Sequence, residues 1–96
     1  MEKGRVAHSP LFILRTLAVP GDTSRLAAVS PTKVTRKASD RNRLRRQMYE
    51  AMQPLVDHLK EGLHVIAVAK AQAVNADFPA IVLGMRDVFV KAGILK

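Results

Sequence analysis

Arg41-Asn42-Arg43-Leu44-Arg45-Arg46 gathers four guanidinium groups and one carboxamide within six residues, and the chemistry that such a set performs is phosphate binding. The surrounding stretch Lys33–Arg46 carries seven basic residues against the single Asp40, a local charge of +6 out of the chain's formal +8. Cations at this density repel one another unless an anion takes them up. Lys33, Arg36 and Lys37, just upstream, extend the same candidate surface. A solvated helix face is the ordinary reading of a charge run, but a nucleic-acid partner accounts better for its concentration in one place.

No other group of residues competes as a chemical site. His8, His58 and His64 lack metal-ligand spacing and have no clustered acids beside them. Asp57 and His58 are adjacent, so on a helix they point in different directions, and no serine sits in a nucleophile-elbow context. His64 reads as a strand-edge residue and not as a general base. The five glycines are isolated, which excludes a phosphate-cradling loop. The absence of cysteine excludes disulfides, thiolate zinc sites and Cys nucleophiles. Glu50 is expected to pair with Arg46 one turn before it, a contact worth about 0.3–0.5 kcal/mol on an exposed helix. The protein is therefore expected to act by binding, with no catalytic residue and no metal of its own.

The elements that must position the cluster follow from pattern. At 96 residues and 48% hydrophobic content, with 4% aromatics and no tryptophan, the chain reads as one domain over residues 1–96 with an aliphatic core. No apolar run is long enough to span a bilayer, and Met1–His8 is too short and polar to open a signal peptide, so a cytoplasmic protein without a membrane partner is expected. Residues 1–9 read as a lead-in or short edge segment. Leu11–Val19 alternates as a strand, with Leu11, Ile13, Leu17 and Val19 on one face and Phe12, Leu14, Thr16 and Ala18 on the other. Pro20-Gly21-Asp22 is a turn, predicting a hairpin with Arg25–Ser30, which Pro31 ends.

After a basic loop over Thr32–Ala38, Ser39 or Asp40 is the expected N-cap of a helix whose core stripe is Leu44, Met48, Ala51, Leu55 and Leu59. Arg41, Asn42, Arg45, Arg46 and Tyr49 fall on another side, with Arg43 between. Pro54 should break this helix near Gln53. Leu63–Lys70 reads as a strand buried on both faces, and Asp77 as the cap of a second helix with Pro79 in its first turn, a core face of Ile81, Met85, Val88, Phe89 and Ala92, and Gly93 as its C-cap. The order is β-β-α-β-α, an α+β fold in which a small β-sheet is packed by two helices.

Read together, Arg41-Asn42-Arg43-Leu44-Arg45-Arg46, the preceding Val29-Ser30, Lys33-Val34 and Lys37-Ala38, the Ser9-Pro10-Leu11-Phe12 entry to the first long strand and the late strand Val65–Lys70 resemble the protein component of bacterial ribonuclease P. The likeness covers nearly the whole chain. It implies a fold like the second domain of a small-subunit ribosomal protein, with a left-handed β-α-β crossover, where such connections are otherwise almost always right-handed. It also implies that Arg41, Asn42, Arg43, Arg45 and Arg46 form the helix that packs on a catalytic RNA, and that Mg²⁺ bound mainly by that RNA supplies the hydrolytic chemistry on precursor tRNA. A groove beside the sheet would receive the single-stranded 5′ leader, with Phe12 to stack a base and Arg15 to hold its phosphate. Tyr49 stands where the family usually has Arg, and the N-terminal helix that the family places before the Gly4-Arg5 pair is expected to be missing.

Two other readings share the basic helix. A ribosome-associated or general structured-RNA-binding protein without a nuclease role needs the same cations. A DNA-binding protein reading a major groove would need a mixed polar face in place of nearly pure arginine, so DNA is not the expected partner.

Overall fold

In a computed structural model that describes residues 4–96, the chain forms strands β1 (Gly4–His8), β2 (Phe12–Ala18) and β3 (Arg25–Val29), helix α1 (Ala38–Met52), strand β4 (Leu63–Ala69) and helix α2 (Phe78–Ala92). Short 3₁₀ segments at Gln53–His58 and Ala71–Ala73 join α1 to β4 and β4 to α2. The four strands make one mixed sheet in the order β1-β2-β4-β3, antiparallel except for the β3–β4 pair.

The expected lead-in is thus an edge strand. It pairs with β2 because Ser9 closes the connection: its backbone N–H donates to the Phe12 carbonyl (2.8 Å), and its Oγ accepts the Phe12 N–H (3.2 Å). The predicted hairpin of β2 with β3 is overturned. Pro20-Gly21 does turn the chain, with Gly21 at φ 85° and the Asp22 N–H on the Val19 carbonyl at 3.1 Å, yet β4 lies between the two strands. A turn fixes chain reversal, whereas the neighbour of a strand is set by which pairing satisfies more backbone and buries more apolar surface. The most apolar strand, β4, takes an interior position with β2 on one side and β3 on the other.

β4 is nevertheless covered on one face only. Val65, Ala67 and Ala69 are buried, while Ile66 is 41% exposed, which corrects the two-face reading. The buried set joins Phe12, Leu14 and Ala28 from the sheet to Leu44, Met48, Ala51 and Met52 of α1 and to Ile81, Met85, Val88 and Phe89 of α2. α2 packs on β1 and β2, and α1 packs on β3 and α2. Among the described residues no helix covers the opposite face, where register aligns Val6, Arg15, Ile66 and Ala27 in one row and Leu17, His64 and Arg25 in the next.

α1 begins earlier than expected, at Ala38, and its N-cap Lys37 makes no side-chain cap bond, which corrects the assignment to Ser39 or Asp40; Asp40 instead lies in the first turn, where a carboxylate suits the helix dipole. Met52, four residues after Met48, joins the buried stripe; Pro54 ends the helix as its missing N–H requires, and the 3₁₀ winding that follows shifts the periodicity and leaves Leu55 only half-buried. Asp77 caps α2 by accepting the Ala80 N–H (3.0 Å), and Gly93 closes it at φ 69°. Gly62 holds the entry to β4 at φ 70°, where an added Cβ would stand 3.0 Å from the Val19 carbonyl oxygen. The C-terminal segment is tied to the connection between α1 and β4 by Lys60 N–H to Ile94 O (2.9 Å) and Lys96 N–H to His58 O (2.6 Å), a pairing that no local pattern announced.

Candidate nucleic-acid interface

α1 presents the basic cluster because its other side is core. Leu44 and Met48, 3% and 0% exposed, clamp the helix to the sheet, and the 3.6-residue period leaves Asn42, Arg43, Arg45 and Arg46 in solvent. Among the described residues, Arg45 and Arg46 have no ion-pair partner, and the expected Arg46–Glu50 pair does not form. Both side chains are long and exposed, and the few tenths of a kcal/mol available do not hold them together. Arg43 reaches Asp40 only at 3.8 Å, and with Gln47 it borders a shallow hollow of ≈ 310 Å³ against Val74, Asn75 and Ala76.

Arg41 differs from its neighbours. It is half-buried, and its guanidinium donates to the carbonyls of Thr35 (3.0 Å) and Arg36 (2.8 Å). One side chain therefore anchors the loop that carries Lys33, Arg36 and Lys37, all exposed, beside the start of α1. Arg41→Lys is expected to lose this anchor, since both bonds come from the one Nη1 and the lysine side chain ends one atom short of it. A loss of about 1 kcal/mol in local stability corresponds to roughly fivefold faster amide exchange over residues 33–37, with helix content unchanged. Unaltered exchange there would show that the loop is held without Arg41.

The two residues assigned to a leader groove are separated. Phe12 is 0% exposed, so its ring cannot stack on a base, and its assignment is corrected to core. Arg15, three positions on in an extended strand, projects to the uncovered face between Val6 and Ile66. His64, expected at a strand edge, lies on the interior strand β4, with Nε2 3.1 Å from Asp22 Oδ2. The Thr23 N–H and then the His64 side chain hold the Asp22 carboxyl below the usual carboxylate range. Among the described residues no group of three or more His, Cys, Asp or Glu side chains could hold a metal ion, and no helix is long and apolar enough to cross a membrane.

Tyr49 is a contact that sequence reasoning missed. Its hydroxyl accepts the Ala28 N–H at 3.1 Å, satisfying an outward-facing donor of the edge strand β3. The available signal was its position one turn beyond Arg45, where residues share a side of the helix.

A family model described as Ribonuclease P matches residues 1–93. A ribonuclease P protein component of Synechococcus is 33% identical over 75 residues, covering 78% of this chain. The match spans 56% of that relative's own length. A second, from Synechocystis, is 28% identical over 91 residues, covering 95% of this chain and 73% of the relative. Among solved structures, the ribonuclease P protein of Staphylococcus aureus superposes with a TM-score of 0.86 at 20% identity over 97% of this chain and 84% of that one. That of Thermotoga maritima gives 0.81 at 19% identity, over 99% and 87%.

Proposed function

The chain belongs to the ribonuclease P protein family, and from that membership we propose that it is the protein subunit of ribonuclease P, binding a catalytic RNA and precursor tRNA and assisting endonucleolytic removal of the 5′ leader. The observation that carries this reading is the set of exposed cations Lys33, Arg36, Lys37, Arg45 and Arg46, with no ion-pair partner among the described residues, on a helix and loop fixed from behind by core and by Arg41. Such a surface lowers the electrostatic cost of bringing two polyanions together, and because it is held by packing, little ordering entropy is lost on contact.

The hydrolytic chemistry would belong to the RNA partner with its bound Mg²⁺. No cluster of acids or histidines among the described residues fits a metal, so no step is assigned to an ion held by this protein. Arg15, on the uncovered sheet face, is the residue proposed to meet the phosphates of the single-stranded leader. Phe12 has no part in that contact.

Reconstitution tests the reading. The chain added to a bacterial ribonuclease P RNA and precursor tRNA at low Mg²⁺ is expected to stimulate 5′ cleavage. RNA binding without stimulation would favour the general structured-RNA-binding alternative, which needs the same cations and no nuclease partner.

A further inference from the structure

Four aromatic residues occur in this chain, and the fold spends two of them, Phe12 and Phe89, on the core at 0% exposure. Phe78 opens α2, away from the arginine-rich stretch in sequence. Tyr49 is 42% exposed and shares its helix with the cluster, four residues after Arg45 and seven after Asn42, spacings that bring all three to one side of α1. Its hydroxyl is fixed by the Ala28 N–H, so the ring is held at one end while part of its surface remains in solvent.

We propose that Tyr49 is a stacking platform for one unpaired base of the RNA partner, with Arg45 holding that nucleotide's phosphate and Asn42 available to its base edge. The proposal rests on the RNA-binding reading above and adds a site and a ligand class to it. Stacking of a base on an aromatic ring is tolerant of base identity, and a ring already immobilised loses little freedom on contact. Duplex RNA offers no free base face, so the site selects a bulged, looped or single-stranded nucleotide.

The chain itself supplies the probe, because it contains one tyrosine and no tryptophan, and its tyrosine emission reports Tyr49 alone. Short oligoadenylate is expected to quench that emission on binding. Inorganic polyphosphate, which offers charge without bases, is expected to bind, as displacement of a labelled oligonucleotide would show, and to leave the emission nearly unchanged. Tyr49→Leu is expected to lose about five- to a hundredfold in affinity for oligoadenylate and little for polyphosphate. Tyr49→Phe, which keeps the ring and loses the tie to Ala28, is expected to retain most of the base-dependent affinity. Circular dichroism of both variants verifies that they are folded.

Equal quenching by the two polyanions, or equal loss in the Phe and Leu variants, would overturn stacking and reduce Tyr49 to a strap between α1 and β3, with RNA binding intact. Failure of both polyanions to bind would remove the RNA-binding reading itself, and the stacking site with it.

Discussion

Replacing Arg45 and Arg46 together by alanine is expected to weaken binding of structured RNA about fifteen- to thirtyfold at 0.15 M salt and to flatten its salt dependence. Each phosphate contact releases condensed counterions, so log K falls against log[salt] by roughly 0.7–0.9 per contact, and one contact is worth about four- to sixfold at that salt. If four or five cations of the cluster engage phosphate, the parent slope should lie near −3 to −4.5, and the double variant should be less steep by about 1.4–1.8. Both side chains are exposed and neither forms an ion pair among the described residues, so the fold has no stake in them and thermal stability should be unchanged. A full parent slope in the double variant would place the phosphate contacts elsewhere on the protein.

Phe12→Ala is expected to act on the opposite property. The ring is fully buried and lies against α2 where Gly84 lets the helix approach: a Cβ built on Gly84 would come 3.4 Å from Phe12 Cε2 and 3.1 Å from Leu11 Cδ1. Removing the ring leaves a cavity between β2 and α2, and truncations of this kind cost about 3–5 kcal/mol. In a domain of this size that is a large share of total stability and lowers Tm by roughly 15–30 °C. Phe12→Leu refills much of the volume and should restore most of the loss while RNA affinity remains at the parent value. A Leu variant that folds normally but loses RNA binding would return Phe12 to the interface and contradict its burial.

The pair Phe12 and Arg15 shows how far strand alternation reaches. Residues three apart in an extended strand face opposite sides, so the sequence alone forbade both from lining one groove. What it could not say was which side would be covered. Leu11, Ile13, Leu17 and Val19 are as apolar as Phe12, Leu14 and Ala18, and only the docking of α1 and α2 on one face decides the matter. The N-cap of α1 departs from local propensity for a related reason. Ser39 and Asp40 are better cap formers than Lys37, but the helix begins where the loop carbonyls of Thr35 and Arg36 meet the Arg41 guanidinium.

By itself the sequence determined the two helices, the breaks at Pro54 and Gly93, the long strand β2 and the position of the cationic stripe, because each depends on contacts within a few residues: caps, missing donors and the 3.6-residue period. The tertiary structure decided the rest. It placed β4 between β2 and β3, left one sheet face uncovered, and tied Tyr49 to Ala28. Strand neighbours and side-chain partners separated by 21 residues or more are chosen by competition among pairings across the chain, and local pattern carries no record of that outcome.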